Sequence, residues 1–233
     1  MIIADPTAER VCDECEIYET LLPLSGAHVL ELGCGKAEKT RAIAKKVNTI
    51  LALEVDQIQH GKNVQASDLP NVSFELGGAQ DIPAEDASFD LVFMFKSLHH
   101  VPMEQMDAAL DEIRRVLKPG GLAYISEPVF AGEFNEILRL FHDEQRVREA
   151  AFAAVQRAVQ TGRFELAGQH FFGTPSHFES FEQFEDRILK VTHTQHQLAP
   201  ALYQLVKDRF MQHVTPEGAK FVMPIRVDLL RKV

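Results

Sequence analysis

From Ala27 to Pro128, short apolar runs alternate with helix-forming stretches, and that rhythm restricts the chain to few folds. "AHVLELG", "TILALEV", "VSFEL", "SFDLVFMF" and "GLAYISEP" read as five strands. "KAEKTRAIAKKV", "QIQHGKNVQASDLP" and "MEQMDAALDEIRRVLKPGG" read as helices between them. "SFDLVFMF" is apolar enough to be covered on both faces, as strands of parallel sheets are. Strand, helix and strand in succession build a parallel sheet with right-handed crossovers. The expected fold is α/β, a doubly wound, mostly parallel sheet whose ligand sits beyond the carboxyl ends of the strands.

Outside this stretch the rhythm changes. Residues 8–22 predict an amphipathic helix stopped near Pro23, because Val11, Cys15, Tyr18 and Leu22 recur at helical spacing. "EFNEILRLFHDEQRVREAAFAAVQRAV" predicts one long helix or two, and "FEQFEDRILKV" and "LAPALYQLVKDRF" predict two more. "KFVMPIRVDLLRKV" predicts a strand at the end of the chain. With 45% hydrophobic and 25% charged residues, the composition is that of an ordinary globular domain. The formal charge of −10 argues against a broad nucleic-acid surface, which needs a basic footprint. No run reaches membrane-spanning length and the first ten residues have no signal-peptide pattern, so a cytoplasmic location is expected. Cys12 and Cys15 supply at most two of the four ligands of a closed zinc site, and their spacing fits helix packing.

The strand "VLEL" runs into Gly33-Cys34-Gly35. A dinucleotide loop would need a third glycine where Glu38 stands. A phosphate-binding P-loop would need glycine at Leu30 and Ser or Thr at Ala37. Both fail. Glu31, two residues before Gly33, suits a ligand carrying ammonium or sulfonium charge better than one carrying phosphates. S-adenosylmethionine carries both positive charges. Glu54 ends the second strand 19 residues after Gly35, where a carboxylate can accept from two ribose hydroxyls. Asp56 competes for that role.

Taken in order, "VLELGCGKA", "LALEVD", "GGAQDIPAEDASFDLVFMFKSLHHV" and "EIRRVLKPGGLAYISEP" resemble a class I S-adenosylmethionine-dependent methyltransferase. The last two resemble the small-molecule group that includes ubiquinone and menaquinone biosynthesis enzymes. The resemblance implies a seven-stranded Rossmann-like sheet with an antiparallel C-terminal strand and a helical cap insertion. It implies one domain over 1–233: a cofactor-binding core at 28–128, a partly helical cap and acceptor region at 129–218, and a final strand at 219–233. Glu31, Gly33 and Gly35 would shape the methionine end, and Glu54 would hold the ribose. Val55 would pack near the adenine, with Ala79 and Gln80 at its edge. Lys96 would lie beside the cofactor, with Ser97, His99 and His100 at the mouth. Where the family usually has an aspartate reading the adenine amino group, this chain has Gly78, so Gln80 or Asp81 must substitute or packing alone must suffice. Lys96 is a cation beside a sulfonium and needs an acidic partner, for which Glu127 is the candidate. His99, His100, His142 and Glu127 are the candidate bases, with His100 best placed by the resemblance. The adjacent histidines have the wrong spacing for one helical face, so no metal site is expected.

The expected activity is methyl transfer to a small organic acceptor, lined by Phe and His side chains of 129–218. Tyr18 would close over the cofactor. The alternatives are a methyltransferase for RNA or protein, a non-catalytic adenosyl-binding protein, and a nicotinamide oxidoreductase, which Glu31 and Glu38 oppose.

Overall fold

The computed structural model describes residues 1–190 and 198–233. The first half supplies β1 (His28–Leu32), β2 (Thr49–Glu54), β3 (Val72–Leu76), β4 (Phe89–Phe95) and β5 (Leu117–Pro128). The second half supplies β6 (Phe164–Phe178), the two-residue β7 (Val214–Thr215) and β8 (Gly218–Lys232). They pair in the order β3-β2-β1-β4-β5-β8-β6, with β7 on β8. β1 to β5 are parallel. β8 is antiparallel to both β5 and β6. The strand order reverses between β1 and β4, so the crevice for a ligand opens at their carboxyl ends.

The helices are α1 (Glu14–Leu21), α2 (Glu38–Ala44), α3 (Gln57–Asn63), α4 (Met106–Val116), α5 (Glu133–Leu138), α6 (Gln145–Gln160), α7 (Phe181–Phe184) and α8 (Pro200–Met211). Several are shorter than the sequence predicts. Residues 10–12 pair with Gly173 instead of starting α1, and Asp13 caps the helix by accepting from the Cys15 amide. Cys12 therefore lies off the helix, and both Cys12 and Cys15 are free thiols. α3 ends at Asn63 rather than near Pro70. A π turn, Glu185–Leu189, continues α7, and Val191 of the predicted helix lies outside the described residues.

Alternate residues of each strand feed opposite layers. Leu30, Leu32, Val92 and Met94 pack with α4 and α6. Val29, Ile50, Phe93 and Tyr124 pack with Ile17 and Tyr18 of α1 and Ile43 of α2. On α4, Met106, Ala109, Leu110, Ile113 and Val116 form the buried stripe of an amphipathic helix. A third cluster sits where β6 and β8 continue toward the cap, with Phe134, Phe178, Phe181, Phe184, Phe210 and Phe221 at its centre. Region 129–218 thus completes the sheet and also builds a cap. Among the described residues, no helix is long and apolar enough to cross a membrane.

Candidate active site

The turn after β1 is tied down on all sides. The amides of Gly33 and Cys34 both donate to the Leu53 carbonyl, at 2.9 and 3.0 Å. Gly33 has φ 76°. A Cβ there would lie 2.9 Å from the Ser97 Cβ, so glycine lets this turn meet the turn after β4. The Ser97 hydroxyl locks that contact by donating to the Leu32 carbonyl at 2.8 Å.

Glu54 joins this turn to β2. Its Oε2 accepts from the Gly35 amide at 2.7 Å, and its Oε1 accepts from the Val55 and Asp56 amides, each at 2.9 Å. A carboxylate has about four acceptor positions, so capacity remains for ligand hydroxyls. Asp56 uses its Oδ1 to cap α3 through the Ile58 and Gln59 amides, so helix capping accounts for one of its two oxygens.

Glu31 is 2% exposed, and its Oε2 has no hydrogen-bond partner. Burial pushes its carboxyl up to about 7. Thr40 and Lys39 oppose that shift without cancelling it, and among the described residues Glu31 makes no ion pair; a buried polar atom without a partner needs an explanation.

Val55 is an apolar side chain left 66% exposed beside Glu54, and Leu76 at the end of β3 is also exposed. Ala79 faces the other way: its methyl is buried in the main core, leaving only its backbone for a ligand. A Cβ at Gly78 would lie 2.5 Å from the Gln80 Oε1 and 2.8 Å from its Nε2. The Gln80 amide therefore lies over the position where an aspartate side chain would begin.

Lys96 adopts φ 54°, unusual for a residue with a Cβ. Its ammonium lies 3.4 Å from Glu14 Oε2, and Glu14 is 1% exposed. The acidic partner is thus Glu14 on α1, not Glu127. Tyr18 is not a lid residue. It is fully buried, edge-on to Phe93, Phe95 and Tyr124.

Glu127 belongs to the histidine cluster instead. Its Oε1 accepts from the Leu98 amide at 2.9 Å, and its Oε2 lies 2.5 Å from His99 Nδ1. His99 Nε2 faces Glu144 Oε1 at 3.6 Å. Burial opposes a charge on His99, but Glu127 and Glu144 outweigh it and hold the imidazole at about 9. Burial likewise opposes the charge on Glu144, yet His99 and Arg148 hold its carboxyl well below the usual range. Arg148 reaches Glu144 at 2.6 Å and the Asn135 side-chain oxygen at 3.0 Å. His142 Nε2 also lies 2.9 Å from Glu144 Oε1. His100 is exposed, with its ring centroid 4.0 Å from that of His99.

Beyond β5 a cavity of about 40 Å³ is lined by Val129, Phe134, Asn135, Leu138, Arg148 and Met223, among others. Asn135 Nδ2 and Arg148 Nε lack partners there. Of the predicted acceptor lining, only Phe134 borders this cavity. Phe172 is buried against the sheet, and Phe152 packs under the Arg226 guanidinium. Sequence reasoning missed Asn135, Glu144 and Arg148. Arg148 carried a usable signal: it shares the buried face of α6 with Ala151, Phe152 and Val155, where a charge needs a partner.

Residues 29–121 match a family described as "Methyltransferase domain". Methyltransferase GfsG of Streptomyces halstedii is 32% identical over 141 residues, covering 57% of this chain and 49% of that protein. O-methyltransferase cnsE of Penicillium expansum is 35% identical over 133 residues, covering 53% and 46%. The chain spans about half the length of these curated relatives. The YcgJ protein of Bacillus subtilis shares the fold, with TM-score 0.66 and 16% identity over 94% of this chain and 97% of that one. The [4+2]-cyclase SpnF also shares it, with TM-score 0.56 and 20% identity over 89% and 75%. Residues 29–121 are thus similar to a methyltransferase domain, and the sheet around them has the Rossmann-like fold of the solved structures.

Proposed function

We propose that this protein transfers a methyl group from S-adenosylmethionine to a small organic acceptor. The observation that carries the cofactor is Glu31, a buried carboxylate with an unpartnered oxygen at the carboxyl end of β1. The residues present fit the group. Glu31 would pair with the ammonium of its methionine end, and Glu54 would add ribose hydroxyls to its amide partners. Val55 would pack on the adenine, and the Gln80 amide would take the edge that Gly78 leaves unread.

When bound, the cofactor supplies an electrophilic methyl on a positively charged sulfur. The chain's own task is then to align the acceptor and exclude water. Lys96 is drawn toward Glu14, which keeps its charge compensated near a sulfonium. His99 is a poor candidate base, because both ring nitrogens face carboxylates. Glu127 is equally committed, to Leu98 and His99. His100, on the exposed side of the same turn, is the base candidate that the family resemblance favours. Asn135 and Arg148 would offer donors to a carboxylate, phenolate or carbonyl oxygen of the acceptor. The names of the O-methyltransferase relatives support an oxygen acceptor.

Calorimetry with S-adenosylmethionine and with its demethylated product tests cofactor binding, and absence of binding at millimolar concentration would refute it. Labelled cofactor incubated with a metabolite extract tests turnover. Binding without transfer would favour a non-catalytic role, a necessary control because the fold also occurs in a protein named as a cyclase.

A further inference from the structure

We propose that His99, His100 and Glu144 form a binding site for a divalent transition metal of the zinc type. One ligand atom from each lies within 4.8 Å of the others. Donors around a tetrahedral zinc, at bonds of about 2.0–2.1 Å, sit roughly 3.3–3.4 Å apart. The separation of His99 Nε2 and Glu144 Oε1, 3.6 Å, is already close to that.

The surroundings have the pattern of an outer shell. Glu127 Oε2 engages His99 Nδ1, which fixes the ring and presents Nε2 toward the cluster. Metal-ligating histidines almost always carry such a partner on the other nitrogen. Glu127 is in turn held by the Leu98 amide. Arg148 grips Glu144 Oε2, which leaves Oε1 turned toward His99 and His142. Two imidazoles and one carboxylate favour zinc, cobalt or nickel over magnesium or calcium. Three protein ligands leave a position open, the mark of a catalytic rather than a structural site.

The histidines are neighbours in sequence and cannot share one face of an α-helix. In the short turn Leu98–His100 the two rings nonetheless come together, with centroids 4.0 Å apart, and Glu144 arrives from the cap.

The test uses untagged full-length protein stripped with chelator, titrated with Zn²⁺ by calorimetry and with Co²⁺ by visible absorption. The expected result is one equivalent bound, with the intense d–d bands of a low-coordinate site. His100→Ala, at an exposed position, is expected to weaken binding at least about 10-fold by removing a ligand. Glu127→Gln is expected to weaken it about 10–100-fold through His99. Absence of saturable binding, or equal affinity in wild type and His100→Ala, would overturn the proposal. Neither cofactor nor acceptor is present in this titration, so it fails or succeeds separately from the methyl-transfer reading.

Discussion

The unpartnered carboxylate of Glu31 makes cofactor binding depend on pH, with a sign that the structure fixes. Its folded value is about 7, raised from 4.5 by burial. In the free protein the proton is therefore held up to about neutral pH. An ammonium placed against Oε2 would return the group to the ordinary carboxylate range, so the complex would hold no proton there. With values of 7 free and about 4.5 bound, affinity would fall about 30-fold between pH 8 and pH 5.5. The assay is calorimetry with S-adenosylhomocysteine, which keeps the ammonium and avoids the labile sulfonium. At pH 7 about half a proton is released per ligand, visible as a dependence of enthalpy on the buffer. Glu31→Gln should abolish both effects and weaken binding at pH 8 by about 1.5–3 kcal/mol, the scale of a lost charge-assisted hydrogen bond. The same shift acts on the free fold in the opposite sense. The folded state prefers the neutral acid, so this stability is present below 4.5 and is lost as pH rises through 7. The glutamine variant should therefore unfold at higher temperature than wild type at pH 8 without ligand, and the difference should vanish at pH 4.5. A pH dependence of binding that survives Glu31→Gln, or a flat profile in the wild type, would refute the reasoning.

Three further outcomes follow from the same geometry. Glu54→Ala removes the acceptor for the Gly35, Val55 and Asp56 amides as well as the ribose, so cofactor affinity should fall by about 1.5–3 kcal/mol by calorimetry. Gly33→Ala combines a positive φ with a Cβ 2.9 Å from Ser97, so urea unfolding should show a loss of about 2–4 kcal/mol. Arg226 is 2% exposed and bonds Asp228, itself 0% exposed, at 2.7 Å. Arg226→Met should cost about 3–5 kcal/mol by leaving a buried charge unpaired, and adding Asp228→Asn should recover much of it.

The sheet was legible where the signal is local. β1 to β5 fall on the apolar runs that the sequence displays, with ends shifted by a few residues. β6 was not legible. "FELAGQHFFGTPSHF" carries Gly168, Gly173 and Pro175, which read as breakers. It forms a strand because it lies at the sheet edge, where a proline need not donate to a neighbour, and because it pairs along nearly all of β8. α3 was overread because helix propensity continues past Asn63 while the chain must turn into β3.

Sequence alone determined the alternation that demands a parallel sheet, the glycine turn after β1, and the two acids, Glu31 and Glu54, at adjacent strand ends. Each rests on side-chain period or turn chemistry within a few residues. Tertiary structure decided what those acids and their neighbours face. It left Glu31 Oε2 without a hydrogen-bond partner, gave Lys96 to Glu14, set Asp56 Oδ1 as a helix cap, and placed His99 between Glu127 and Glu144. These partners sit on different elements, and charge pairing across a folded core depends on packing distance, which no local pattern encodes.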